Sequence, residues 1–246
     1  MIEAVIFDLG GTLIEYAGSY NSWPELETPG FTAVYNHLAQ QRNALPPFAQ
    51  FCHQGFALLP VRWRQAINHE RNLTVADLLA ELMTIMQLPP LPPQQLLEAA
   101  RLYQQAIQAQ AFLVPHAATA VKQVQAAGYK VGLLSNTMFS GASHRSDLAR
   151  FGLLDAFDTL LFSGDVSLWK PNAAPFLKLA DMMNVKPQTA VYVGDDPASD
   201  VIGGSRAGMK TIYVKSTQRF HMPPDCHPDA EINHLGELIQ ILQKWG

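Results

Sequence analysis

An apolar run that stops at an acid and a pair of glycines constrains this chain more than any other feature: Ala4-Val5-Ile6-Phe7 is followed by Asp8-Leu9-Gly10-Gly11-Thr12-Leu13. Val5, Ile6 and Phe7 are β-branched or aromatic and show no polar alternation, as expected of a parallel strand covered on both faces. Asp8 then stands at the strand's carboxyl end, where open α/β sheets bind their ligands, and Gly10 and Gly11 let the backbone turn and come close to one. An acid so placed is a candidate nucleophile or metal ligand. Alone, the same residues equally describe a turn or an N-cap, so the meaning of Asp8 depends on what the rest of the chain brings beside it.

After Phe112 the pattern alternates helix and strand, the signature of βα units on a parallel sheet. Pro115 is expected to open a helix that Gly128 closes, and Lys130 to Leu134 reads as a strand ending at Ser135-Asn136-Thr137. A helix is predicted over 146–151, a strand over 159–162, and a helix over 175–184 following Lys170-Pro171. The next strand, 190–193, runs into Gly194-Asp195-Asp196-Pro197-Ala198-Ser199-Asp200. A helix over 201–207, a strand over 211–214 and a C-terminal amphipathic helix through Leu235, Leu238, Ile239, Leu242 and Trp245 complete the chain. Between Tyr16 and Gln110 strand signals are absent and the sequence reads as helices separated by proline clusters, without a single lysine. Thr28-Pro29 is a helix start there, and Thr74 with Asp77 is a capping box. The expected fold is therefore α/β: a Rossmann-like parallel sheet core over residues 1–15 and 111–246, with an inserted all-helical domain over 16–110.

Composition narrows the partners. The 246 residues are 48% hydrophobic and carry a net charge of -4, with a pI near 6.0, enough for a sizeable core and too little basic charge for a broad nucleic-acid or anionic-lipid face. No nucleic-acid and no membrane partner is expected. A strand beginning at residue 2 argues against a leader, and no apolar run is long enough to span a bilayer, which makes the cytoplasm the expected compartment. Cys52 and Cys226 stand apart, outside any Cys-x-x-Cys pair, and read as reduced structural thiols.

Four sequence-distant stations thus stand at strand ends or just beyond them: Asp8, Ser135, Lys170, and the Asp195, Asp196, Asp200 cluster. Carboxylates with room left for water and phosphate oxygens suit a hard divalent cation, for which Asp8, Asp195 and one neighbour are the candidates. Ser135 and nearby amides can donate to phosphoryl oxygens, and Lys170 can offset the charge of a transferring group. In this order and arrangement the sequence resembles the haloacid dehalogenase-like hydrolase superfamily, whose four motifs match as Asp8-Leu9-Gly10-Gly11-Thr12, Leu134-Ser135-Asn136, Lys170-Pro171, and Gly194 to Asp200. The helical insertion looks like that family's C1 cap domain.

The resemblance implies that Asp8 attacks phosphorus to form an aspartyl-phosphate that water hydrolyses, with Lys170 the second catalytic residue. Thr12, Ser135 and Asn136 would bind substrate. Asp8, the Gly10 carbonyl and Asp195, assisted by Asp196 or Asp200, would hold Mg2+. A small phosphorylated metabolite is the implied substrate, and a monomer or homodimer the implied assembly. One position departs from the phosphatase pattern, since the family's phosphatases usually carry a second aspartate, their general acid, where this chain has Gly10. Weakened turnover follows, because general acid catalysis contributes roughly 10²–10⁴-fold. Two rivals remain: a catalytically weakened binding or regulatory protein, and a 2-haloacid dehalogenase, against which the magnesium-type carboxylates argue. Glu15, just past the first motif, reads as a solvated residue at the entrance to the helical domain, with a substitute for the missing acid as the alternative. Arg62, Trp63 and Arg64 read as a snorkelling helix surface.

Overall fold

In the computed structural model, which describes residues 1–16, 23–41, 44–69, 71–217 and 219–245, the strand that carries Asp8 is an inner strand of a parallel sheet. The strands are, in chain order, β1 (Ala4–Phe7), β2 (Ile14–Glu15), β3 (Phe112–Leu113), β4 (Lys130–Ser135), β5 (Thr159–Phe162), β6 (Ala190–Gly194), β7 (Lys210–Val214) and β8 (Ala230–Ile232). Six form one sheet in the order β5-β4-β1-β6-β7-β8 with every pair parallel, and β2 pairs with β3 antiparallel. From β1 the chain builds β4 and β5 on one side and then crosses to build β6, β7 and β8 on the other. The order of addition reverses at β1, and the crevice beyond such a reversal is where these sheets bind ligands.

Register brings the polar strand ends to one level. Phe7 lies opposite Leu133 of β4 and Val193 of β6, and the Asp8 N–H donates to the Val193 carbonyl at 2.9 Å. Asp8, Ser135 and Asp195 therefore emerge together at the carboxyl edge. All four residues of β1 are buried. On one face Ala4, Ile6, Leu134 and Tyr192 pack against Phe176, Leu179 and Met183, each large apolar side chain contributing roughly 1.5–3 kcal/mol by leaving water.

The chain divides into two compact units, Tyr16–Ala111 and the remainder. The first holds α1 (Thr28–Gln41), α2 (Phe48–Ile67), α3 (Val75–Ile85) and α4 (Pro93–Gln108). Thr74 and Asp77 make both bonds of a capping box at the start of α3. Phe31 forms the centre of the unit's core, meeting Phe51, Phe56 and Tyr103 edge-on. Arg62 corrects the snorkelling reading: it is buried, its Nη1 donates to Gln65 Oε1 at 2.6 Å, and its Nε lies 3.2 Å from Glu81 Oε2. A guanidinium that finds a carboxylate on a neighbouring helix is buried with it, which a helical-wheel reading of α2 by itself does not reveal.

The second unit adds α5 (Ala117–Ala126), α6 (Gly141–Arg150), α7 (Ser163–Val166), α8 (Ala173–Met182), α9 (Ile202–Arg206) and α10 (Leu238–Trp245) around the sheet. Helix α6 starts earlier than periodicity suggests because the Ser140 hydroxyl accepts the Ser143 N–H at its N-terminus. The edge strand β8 escapes sequence reading because it is three residues long with a charged residue at its centre. Both cysteines are free and buried, and no helix among the described residues is long and apolar enough to cross a membrane.

Candidate active site

Asp8 is delivered by β1 and met by a single ammonium. Lys170 Nζ donates to Asp8 Oδ1 at 2.6 Å, to Asp200 Oδ1 at 2.7 Å and to the Tyr192 hydroxyl at 2.9 Å, so all three N–H donors of this buried lysine are satisfied. Burial alone would lower its pKa, but the Asp200 and Asp8 carboxylates outweigh it and hold the ammonium well above the usual lysine range. Tyr192 passes the chain on by donating to the Leu134 carbonyl at 2.8 Å, its phenol kept protonated by burial.

Asp8, Asp195 and Asp200 each place a carboxylate oxygen within 4.8 Å of the others, all three residues buried. Thr12 donates its hydroxyl toward Asp195 Oδ1 at 3.1 Å with a longer 3.4 Å contact to Asp8 Oδ2, and Thr217 donates to Asp195 Oδ2 at 2.5 Å. Burial, then the nearby Asp8 and Asp200 charges, push the Asp195 carboxyl well above the carboxylate range. Burial also raises Asp200, to about 7, although Lys170 pulls the other way. Three buried carboxyl groups face one ammonium, so without a cation they hold protons to limit their mutual repulsion, and an all-oxygen donor set of this kind fits a hard divalent cation that would take the protons' place.

Two glycines make the close approach possible. Gly11 has φ of 82°, and a Cβ there would stand 2.4 Å from Asp195 Oδ2, whereas at Gly194 it would stand 2.1 Å from Asp200 Oδ2. Gly10 is not among the positive-φ glycines, so the backbone constraint in the first motif rests on its neighbour.

Several of the expected site residues make contacts within the protein itself. Asp196 does not join the cluster, because its Oδ1 caps the following helical turn by accepting the Ala198 and Ser199 N–H groups at 3.0 and 3.2 Å. Asp200 Oδ2 accepts the Asp196 N–H at 3.0 Å. The Asn136 carboxamide turns to the backbone of Lys170, donating to its carbonyl at 2.9 Å and accepting its N–H at 2.8 Å. Thr12 addresses the carboxylates. Ser135 is buried, its hydroxyl 3.4 Å from the Asn136 carbonyl. Glu15 forms an ion pair with Arg219.

Tyr192 and Thr217 were not singled out by sequence. A tyrosine in an otherwise apolar buried strand, Ala190–Gly194, is the one available signal, since its hydroxyl requires a partner. The loop after β4 has its own unforeseen anchor: His144, stacked between Phe139 and Phe162, lies 2.7 Å from Thr137 Oγ1 through Nε2. Burial drives its pKa down to about 3, so it is a neutral hydrogen-bonding ring.

A family model for haloacid dehalogenase-like hydrolases matches residues 2–208. A glyceraldehyde 3-phosphate phosphatase of Methanopyrus kandleri is 30% identical over 133 residues, 53% of this chain and 56% of that protein. A pyrophosphatase PpaX of Bacillus mycoides is 23% identical across 99% of this chain and 98% of its own length. The match thus spans about half the length of the first of these relatives and nearly all of the second. Among solved structures, a 2-haloacid dehalogenase of Pseudomonas syringae pv. Tomato superposes with a TM-score of 0.73 at 26% identity, covering 100% of both chains. With the family model spanning most of the sequence and the motif residues converging at the sheet's carboxyl edge, this chain belongs to the haloacid dehalogenase-like hydrolases.

Proposed function

We propose that the protein is a magnesium-dependent phosphomonoester hydrolase that works through an aspartyl-phosphate on Asp8 and acts on a small phosphorylated metabolite in the cytoplasm. The observation that carries this reading is the convergence of Asp8, Asp195 and Asp200 with Lys170 bonded to two of them. A carboxylate oxygen of Asp8 attacks phosphorus and the bond from phosphorus to the leaving oxygen breaks. Water then attacks the phosphorus, the Asp8–phosphorus bond breaks, and phosphate departs with Asp8 regenerated. Lys170 holds Asp8 in place and offsets charge, and Ser135 donates to a phosphoryl oxygen. Asp8, Asp195 and the Gly10 carbonyl would hold Mg2+, with Asp200 completing the carboxylate set. Bound there, the ion would neutralise phosphoryl oxygens. The helical unit, Tyr16–Ala111, serves as the cap and carries substrate discrimination.

The named phosphatase and pyrophosphatase relatives support phosphoryl chemistry. Gly10 supports a slower enzyme than the family pattern would give, and the same residue, with the dehalogenase likeness, favours a second reading as a 2-haloacid dehalogenase. The paired Asp195 and Asp200 weigh against it, since carbon–halogen hydrolysis at Asp8 has no use for a cation site. Assaying purified protein with Mg2+ against acyl, aryl, sugar and nucleotide phosphates, with 2-chloropropionate alongside, separates the readings. Phosphate release that EDTA stops supports the first. Chloride release without metal overturns it, and tight phosphate binding without turnover indicates a binding or regulatory protein.

A further inference from the structure

The segment that follows β7 touches the site through residues outside the four motifs. Lys215 pairs with Glu231 at 2.6 Å, the Ser216 hydroxyl donates to the Gly11 carbonyl at 2.6 Å, Thr217 donates to Asp195 Oδ2 at 2.5 Å, and Arg219 pairs with Glu15. Ser216 and Thr217 thus tie the segment to the first motif and to the last, while Lys215 and Arg219 tie it to β8 and β2. Of these contacts, Thr217 is the one that reaches a carboxylate of the cluster. Asp195 is buried, its two oxygens receive one hydroxyl each, from Thr12 and Thr217, and Gly11 stands against its face. Two donors on opposite oxygens fix the plane of a carboxylate, whereas one leaves it free to swing.

We infer that Thr217 is a positioning residue for the cation site, orienting Asp195 through its hydroxyl while Ser216 anchors the loop on the Gly11 turn. The assignment rests on the reading of Asp8 and Asp195 as Mg2+ ligands. Partners that orient a ligating group typically change metal affinity by about 10- to 100-fold when removed, and a valine keeps the volume of threonine while deleting the donor. Calorimetric titration of Mg2+ into metal-stripped protein should therefore show the dissociation constant of Thr217→Val raised by about 10- to 100-fold. Thr217→Ser should return it to near the parent value. Phosphate release by Thr217→Val should recover toward the parent rate once Mg2+ is saturating, so that the loss lies in the metal half-saturation and not in the maximal rate. The melting temperature of each metal-free variant establishes that it is folded, and Thr217→Ala replaces Thr217→Val if the latter is not. Parent and Thr217→Val binding Mg2+ equally, or Thr217→Ser weakened as much as Thr217→Val, overturns the assignment. If the parent binds no Mg2+, or binds it as well after Asp195→Asn, the cation-site reading itself fails and this inference with it.

Discussion

The carboxamide of Asn136 grips the backbone of Lys170 from both sides, donating to its carbonyl at 2.9 Å and accepting its N–H at 2.8 Å. This places the second motif in charge of where the lysine chain begins, while Asp8, Asp200 and Tyr192 decide where it ends. Asn136→Ala should cost about 1–3 kcal/mol of stability through two unpaired backbone groups, and should lower kcat more than it raises KM because Lys170 loses its aim. Urea denaturation and steady-state kinetics together test this. An unchanged denaturation midpoint with a raised KM would instead assign Asn136 to substrate.

Asp195 should be a liability without a cation. Its carboxyl is raised by burial and by the Asp8 and Asp200 charges, so the folded protein holds that proton more tightly than the unfolded chain. The associated stability is present at low pH and is lost as pH rises. Metal-free Asp195→Asn should accordingly melt higher than the metal-free parent at pH 8. Mg2+ at a hundred times its dissociation constant should stabilise the parent by about 2.7 kcal/mol and the variant by little. A parent that is more stable than Asp195→Asn in EDTA at pH 8 would contradict the charge argument.

The helical unit also contains a buried acid of this kind. Glu27 accepts the Tyr103 hydroxyl at 3.0 Å and is raised from 4.5 to about 7, burial outweighing that bond. A folded pKa above the unfolded one means the carboxyl favours folding below pH 4.5 and that this contribution is lost between 4.5 and about 7. Glu27→Gln keeps an acceptor for Tyr103 and removes the ionisation. It should stabilise the protein at pH 8 by up to about 3 kcal/mol and leave it unchanged near pH 4. Equal melting temperatures of parent and variant at pH 8 would show that Glu27 finds compensation elsewhere.

How far the site was readable from sequence follows from what each residue must do. Asp8, Ser135 and Asp195 stand at the carboxyl ends of strands, which hydrophobic periodicity locates well, whereas Lys170 follows a short helix beyond β5 and is marked only by its Lys-Pro motif. The three strands that carry the first three, β1, β4 and β6, are short and buried along nearly their whole length. Asp196 and Asn136 turn to backbone groups, the Ala198 and Ser199 N–H and the Lys170 main chain, because adjacent polar residues in a loop differ in direction, which depends on backbone torsions that composition does not encode. Thr217 and Tyr192 belong to the site through pairings between strands distant in sequence, and a single threonine after a strand carries no local mark of that. Strand β8 is set by its neighbour β7, with Asp229 accepting the Thr211 N–H at 2.8 Å, rather than by its own residues.

The last prediction separates the two glycines of the first motif. Gly11, with φ of 82° and Asp195 Oδ2 at 2.4 Å from where a Cβ would be, should not tolerate Gly11→Ala: a strained backbone and a displaced carboxylate both follow. Gly10 is not held at positive φ, so Gly10→Asp is expected to fold. Its effect should depend on the leaving group. Acyl and p-nitrophenyl phosphates leave as weak bases and form the aspartyl-phosphate without a proton donor, whereas alkyl oxygens leave poorly unless protonated. Glu15 is a poor substitute donor because its carboxylate is engaged by the Arg219 guanidinium. The parent should therefore release p-nitrophenol in a burst stoichiometric with enzyme, followed by slow hydrolysis of the intermediate, since breakdown lacks an activated water for every substrate. Gly10→Asp should abolish the burst and raise turnover on alkyl phosphates more than on acyl phosphates, by up to about 10²–10⁴-fold. Rapid-quench kinetics on both substrates test this, with Glu15→Gln as the control. If Gly10→Asp folds yet keeps the parent's burst and substrate ratio while Glu15→Gln loses activity on alkyl phosphates, Glu15 supplies the proton despite Arg219 and the role given to Gly10 is wrong.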